Sequence, residues 1–133
     1  MKEQLLYNQD TKERVELKVL AVDDEPDNLF LIKTYLKNVN VKYYQALNSK
    51  KALEYSKEIK FDFILMDIKM PNIDGVETTK MIRADSVNKD SYIIALSACS
   101  SSHDNATNLF DDFVGKPFSK KDLFSKLSLS LMH

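Results

Sequence analysis

The sequence contains very little cysteine and glycine. Cys99 is the only cysteine among 133 residues, so an intramolecular disulfide is impossible and multi-cysteine zinc sites are excluded. Glycine occurs only at positions 75 and 115, which excludes both common glycine-rich phosphate-binding loops. We therefore expect a reducing compartment, and any phosphate chemistry must depend on other side chains.

Neither charge nor hydrophobicity is concentrated in one part of the chain. Nineteen basic and twenty acidic residues give a net charge of −1, and the longest basic runs are pairs, which argues against a nucleic-acid-binding surface. The longest apolar run, Tyr92 to Leu96, covers five residues, whereas a bilayer span needs about 18. No basic-then-apolar leader opens the chain. These features predict a soluble, cytoplasmic, single-domain protein without membrane insertion.

Short β-type segments recur along the chain and are separated by stretches with helical spacing of apolar residues. The five segments are Val19–Val22, Val41–Ala46, Phe63–Met66, Tyr92–Leu96 and the weaker Asp112–Gly115. The connections between them are too long for hairpins. Helix-start signals fit this plan, since Pro26 can occupy the first turn of a helix, Ser49 precedes the second helix, and Ser119 is a plausible cap of the last. Regular alternation of strand and helix therefore predicts βα units and a parallel sheet.

The composition of the strands indicates their order in the sheet. The first, third and fourth are apolar at every position, as strands covered on both faces are, while the second alternates and the fifth is short. The order 2-1-3-4-5 places the former inside and satisfies right-handed crossovers. We expect a three-layer, doubly wound α/β fold. The fourth helix should be short or irregular, because residues 99–108 are poor in helix formers.

Polar side chains follow the central strands at the point where each strand ends. Asp23 and Asp24 follow the first strand, Asp67 the third, Ser97 the fourth and Lys116 the fifth. In a parallel sheet these positions converge on one edge, where ligands of such folds bind. Three clustered carboxylates would raise one another's pKa unless a cation neutralised them. Mg²⁺, which prefers oxygen ligands, suits this group.

Each of these residues also has an ordinary structural explanation. Acidic residues before a helix complement its dipole, a single Asp at a strand end is commonly a turn residue, a Ser caps a helix, and a Lys is a solvated charge. What favours a shared site is that the polar residues fall at the ends of four different strands.

Four stretches of the sequence resemble the signature regions of the response-regulator receiver domain of two-component signalling. They occur in the family's order and spacing, and they are Val22–Asn28, Leu65–Gly75, Ala95–Ala98 and Gly115–Phe118. The resemblance implies a flavodoxin-like fold of five βα units. It divides the chain into an N-terminal extension or linker, residues 1–17, and a receiver domain, residues 18–133.

The resemblance also implies roles for individual residues. Asp67 would be the phosphoacceptor, Ser97 the switch hydroxyl, Phe113 the switch aromatic and Lys116 the cation beside the phosphoacceptor. The ligands of Mg²⁺ (or Mn²⁺) would be Asp23, Asp24, Asp67 and the backbone carbonyl of Lys69. Lys69 and Cys99 would tune the lifetime of the phosphoryl group, and Pro117 would follow a cis peptide bond.

The function implied is a phosphorylation switch. Asp67 would take a phosphoryl group from the phosphohistidine of a histidine kinase or histidine phosphotransfer protein, and the surface that binds a downstream protein would change. The domain would catalyse only its own phosphorylation and autodephosphorylation, and so would not be an enzyme acting on other molecules.

Other readings remain open. A pseudo-receiver that binds proteins without phosphorylation is the first alternative. A haloacid-dehalogenase-like phosphohydrolase is the second, although it needs an acid where this chain has Lys69. The sequence leaves a free-standing regulator and the receiver of a hybrid sensor kinase equally open.

Overall fold

The computed structural model describes residues 16–70, 74–85, 87–97 and 108–131. Within them lies a five-stranded parallel sheet in the order β2-β1-β3-β4-β5, which confirms the predicted order. The strands are β1 Leu17–Val22, β2 Val41–Ala46, β3 Phe63–Asp67, β4 Tyr92–Ser97 and β5 Asp112–Gly115. The helices of the described residues are α1 Pro26–Tyr35, α2 Ser49–Glu58, α3 Gly75–Asp85 and α4 Lys120–Leu131.

Two sequence predictions concern segments beyond these ranges. The short or irregular helix predicted between β4 and β5 falls on residues 99–108, all of which except Asn108 lie outside the described residues. Most of the N-terminal extension falls on residues 1–15, which also lie outside them. Leu17 opens β1, pairs with Val41 and is buried, so this strand starts two residues before the predicted segment. The boundary between extension and domain stays a prediction.

The sheet is covered on both faces, as the apolar composition of its inner strands predicts. Successive residues of a strand point to opposite faces, and Val19 and Leu20 of β1 accordingly enter different apolar clusters. The cluster around Val19 includes residues of α1 and α4: Leu29, Ile32, Leu123 and Leu127. The cluster around Leu20 includes Ala52 of α2 and Ile82 of α3. In the part of the chain that the structure describes, two helices on each face of the sheet give the three layers.

The helix starts follow local sequence signals, with one correction. Pro26 is the first residue of α1, and a reciprocal pair of hydrogen bonds between Ser119 and Asp122 caps α4 at 3.0 Å each. The cap of α2 is Asn48, whose side chain accepts a bond from the Lys51 backbone N–H at 2.9 Å. Ser49, the residue expected there, is buried instead, because its hydroxyl contacts α3.

The side chain of Asn88 joins the ends of several elements on the side of the sheet away from the strands' carboxyl ends. Fully buried between α3 and β4, it accepts a hydrogen bond from the Phe61 N–H at 2.7 Å. It donates to the carbonyl oxygens of Ser56 at 2.7 Å and Ile59 at 2.6 Å. These bonds pair backbone groups that would otherwise be buried without partners, which is costly.

Arg83 of α3 holds the loop that leads into β5. Its guanidinium donates to the Leu109 carbonyl oxygen at 2.8 and 3.1 Å and pairs with the Asp111 carboxylate at 3.0 Å. That carboxylate also accepts a bond from the Ile93 backbone N–H at 2.8 Å. The start of β5 is thereby fixed against β4.

Candidate functional site

Three carboxylates meet at the carboxyl edge of the sheet. Asp23, just after β1, is fully buried, Asp67 ends β3 and is nearly so, and Asp24 is partly exposed. Each offers a carboxylate oxygen, and these oxygens all lie within 4.8 Å of one another. The backbone N–H of Glu25 donates to Asp23 Oδ1 at 3.0 Å and helps to orient that carboxylate. The convergence predicted from the strand ends is confirmed.

Lys116 brings a positive charge into this acidic group. Its Nζ donates to Asp23 Oδ2 at 2.9 Å and to Asp67 Oδ1 at 3.0 Å, so one ammonium group bridges the ends of β1 and β3. Its backbone N–H donates to the Ser97 carbonyl oxygen at 2.7 Å, which fixes it at the end of β5 beside β4. The peptide bond between Lys116 and Pro117 is cis, as the resemblance implies.

The charges of the site are not balanced. Burial raises the pKa of the Asp67 carboxyl from 3.8 to about 6, and the negative charges of Asp23 and Asp24 act in the same direction. The hydrogen bond and charge of Lys116 oppose this rise only in part. For Lys116, burial lowers the pKa, but its bonds to the two carboxylates outweigh burial and raise it, so it stays protonated.

This donor set fits a hard divalent cation. Mg²⁺ and Mn²⁺ prefer carboxylate oxygen, and they accept water molecules as the remaining ligands. Lys116 supplies one positive charge beside three carboxylates, and burial further disfavours the ionised form of Asp67. A bound divalent ion would supply the missing positive charge at this edge.

Ser97 and Phe113 lie on neighbouring strands. Ser97 ends β4, is buried, and pairs in register with Gly115 of β5. Phe113 pairs with Ala95, is half-buried, and packs edge-to-face on Phe110 with ring centres 5.7 Å apart. The structure therefore places Ser97 at the carboxyl end of β4, while Phe113 lies two residues before the end of β5.

Of the two residues predicted to tune the lifetime of the phosphoryl group, only Lys69 lies within the described residues. Lys69 is exposed two residues beyond Asp67, and its predicted roles as a carbonyl ligand and in tuning the phosphoryl lifetime stay predictions. Cys99 lies outside the described residues.

Gly75 is a residue near the site to which the sequence analysis gave no role. Its backbone N–H donates to the Ile68 carbonyl oxygen at 2.8 Å, just past Asp67. A Cβ at this position would overlap the Asp67 carbonyl oxygen and lie 2.8 Å from both the Asp67 carbonyl carbon and Ile68 Cα. The available signal was the scarcity of glycine, since only two occur in the chain.

The sequence as a whole matches a known family over most of its length. The family model of the response regulator receiver domain matches residues 19–128. The chain belongs to this family. Its fold is that of other receiver domains.

Solved receiver domains superpose closely on this one. The receiver domain of a sensor histidine kinase from Pseudomonas aeruginosa PAO1, which holds a magnesium ion in its active-site cleft, has a TM-score of 0.81 at 26% identity. The alignment covers 90% of this chain and all of that one. The response regulator TrrA of Thermotoga maritima, in complex with Mg²⁺-BeF, has a TM-score of 0.77 at 32% identity, over 86% of this chain and 98% of that one.

Curated relatives include both sensor proteins and transcriptional regulators. The sensor protein GacS of Pseudomonas syringae is 32% identical over 80% of this chain, which corresponds to 12% of GacS. The transcriptional regulatory protein ResD of Bacillus subtilis is 32% identical over 87% of this chain and 48% of its own length. The receiver domain thus spans half or less of these relatives. In the part of the chain that the structure describes, no helix has the length and apolarity to cross a bilayer.

Proposed function

We propose that this receiver domain accepts a phosphoryl group on Asp67 from the phosphohistidine of a histidine kinase or histidine phosphotransfer protein. The observation that carries the proposal is the Asp67 carboxylate, bonded to Lys116 Nζ at 3.0 Å and grouped with the oxygens of Asp23 and Asp24. A carboxylate can act as a covalent nucleophile. Phosphoryl transfer needs mainly positioning and neutralisation of charge, which this arrangement offers.

Asp23, Asp24 and Asp67 would hold Mg²⁺ or Mn²⁺, with the backbone carbonyl of Lys69 as a further ligand. When bound, the ion would neutralise the negative charge of the phosphoryl oxygens and of the carboxylates. The grouped carboxylates of this chain and the magnesium bound by the P. aeruginosa receiver domain support the assignment.

The transfer step exchanges one bond to phosphorus for another. An Asp67 carboxylate oxygen attacks the phosphorus atom, the P–N bond to the donor histidine breaks, and the imidazole nitrogen keeps the electron pair and takes a proton from solvent. Lys116 remains an ammonium group, because its pKa is raised, and it donates to the incoming phosphoryl oxygens. The domain acts on no other substrate: it catalyses its own phosphorylation and the hydrolysis of its own acyl phosphate.

Phosphorylation changes the charge of the edge and hence the surface around it. A phosphoryl group on a side chain carries about −1.5 to −2 charge and three strong acceptor oxygens. The Ser97 hydroxyl donates to one of them, and the half-buried Phe113 ring moves inward in response. The altered surface binds a downstream protein. A cytoplasmic location, where such partners meet, stays a prediction.

The test is an intact-mass measurement after incubation with acetyl phosphate, with Mg²⁺ or with EDTA. We expect one phosphoryl adduct that needs Mg²⁺, is absent from Asp67→Asn and is retained by Asp90→Asn, an exposed surface aspartate used as the control. An unmodified wild type, or equal modification of Asp67→Asn, would refute the proposal. Equal affinity of a partner for the modified and unmodified protein would favour a pseudo-receiver instead.

A further inference from the structure

The first turn of α3 packs directly on the backbone of the phosphoacceptor strand. Gly75 opens this helix, and its N–H bonds to the Ile68 carbonyl oxygen at 2.8 Å. An added Cβ would overlap the Asp67 carbonyl oxygen and lie 2.8 Å from two further backbone atoms, well inside the 3.4–4 Å of ordinary contact. Gly75 does not adopt a positive φ, so it is space, and not backbone conformation, that requires glycine here.

The packing of α3 limits its ability to retreat from such an overlap. The Thr78 hydroxyl lies 2.6 Å from the Ser49 hydroxyl of α2, and this pair is buried. Thr79 and Ile82, on the following turn, are fully buried. Close-packed interiors transmit displacements instead of absorbing them, so the buried contacts of α3 oppose its movement away from β3.

The backbone on the other side of the contact carries the site. The overlapped atoms belong to the peptide that joins Asp67 to Ile68, and the N–H of Ile68 donates to the Leu96 carbonyl oxygen of β4 at 3.1 Å. Relief of the overlap needs a shift of roughly an ångström or more, since the contact with the Asp67 carbonyl oxygen must return to the ordinary range. A shift of this peptide moves the Asp67 carboxylate relative to Lys116 and Asp23.

We propose that Gly75 is a positioning residue for the phosphoacceptor, because the absence of a side chain there sets the place of the Asp67 peptide against α3. The inference rests on the proposed function and adds to it a residue that neither binds the metal nor touches the phosphoryl group. It predicts that a methyl group at position 75 reduces Mg²⁺ affinity and the rate of modification more than it reduces the stability of the fold.

The test compares Gly75→Ala with two controls. Gly115→Ala is the matched glycine control, because its added Cβ would meet nothing nearer than the Ser97 carbonyl oxygen at 4.0 Å. Ile82→Val is the stability control, since it removes one buried methylene from the same helix. Three quantities are measured: the NMR shift of the Ile68 amide in the metal-free protein, Mg²⁺ affinity by calorimetry, and the rate of modification by acetyl phosphate.

We expect Gly75→Ala to shift the Ile68 amide resonance in EDTA, to weaken Mg²⁺ binding about tenfold to hundredfold, as changes behind metal ligands do, and to slow modification to a similar extent. Gly115→Ala should match wild type in all three, and Ile82→Val should lose stability alone. An unmoved Ile68 amide with wild-type Mg²⁺ affinity in Gly75→Ala would overturn the inference. A wild type that binds Mg²⁺ but is never modified would instead overturn the proposed function. The Ile68 amide shift and the Mg²⁺ affinity would then still test the positioning role of Gly75.

Discussion

Replacing the phosphoacceptor by its neutral isostere should stabilise the metal-free fold. In the absence of a divalent ion, the ionised Asp67 is buried beside two other carboxylates, and its pKa is raised from 3.8 to about 6. Asp67→Asn keeps the shape of the side chain and its acceptor oxygen for Lys116 but removes the negative charge. The variant therefore lacks the group that makes the wild-type edge unfavourable at neutral pH.

The magnitude follows from linkage between protonation and folding. A raised pKa means that the stability contributed by protonated Asp67 is fully present below about pH 4 and is lost as the pH rises through about 6. Each pKa unit corresponds to about 1.4 kcal/mol, so the loss amounts to about 3 kcal/mol. The difference in unfolding free energy, Asp67→Asn minus wild type, should rise by this amount between pH 4 and pH 8. The value of about 6 already includes the hydrogen bond and the charge of Lys116, both of which lower the pKa of Asp67.

The assay is urea denaturation followed by circular dichroism in EDTA, because the chain has no tryptophan to report by fluorescence. Asp90→Asn, at an exposed position, serves as the control and should differ from wild type by a pH-independent amount. A difference between Asp67→Asn and wild type that stays constant or falls from pH 4 to pH 8 would refute the electrostatic account of the site.

Further predictions concern the metal, the cation, the switch and the scaffold. Mg²⁺ at 100 times its dissociation constant should stabilise wild type by about 2.7 kcal/mol and Asp67→Asn by less, as denaturation midpoints would show. Lys116→Ala should slow modification by acetyl phosphate, and an unchanged rate would remove its assigned role. Ser97→Ala should still form the adduct but reduce the phosphorylation-dependent shift of the Phe113 ring resonances. Asn88→Ala, which leaves buried backbone groups unpaired, should lower the unfolding free energy by about 3 kcal/mol while Mg²⁺ affinity stays at the wild-type value.

The start of α2 shows that local sequence preferences alone do not identify the residue that caps a helix. From its sequence, Ser49 is expected to precede α2 as its cap, whereas in the structure Asn48 is the cap. Both residues are good caps, so propensity does not separate them. Ser49 is engaged elsewhere, because its hydroxyl faces Thr78 of a helix that lies 29 residues further along the chain.

The chain's own pattern determined the strands, their order and the residues at their ends. Continuous apolar runs identify the strands that are buried on both faces, and the polar residue that follows each run marks the carboxyl end of its strand. The register of β1 and β3 therefore places Asp23 and Asp67 at one edge. This is why the composition of the candidate site could be predicted.

Only the tertiary structure decided how these groups interact. Lys116 bonds to Asp67 across 49 residues of sequence and to Asp23 across 93, and the raised pKa of Asp67 depends on how deeply the packed helices bury it. The contact between Gly75 and the Asp67 carbonyl likewise exists only because α3 is packed against β3. Periodicity is a property of neighbouring residues, whereas distances and burial between distant ones arise when the layers close around the sheet.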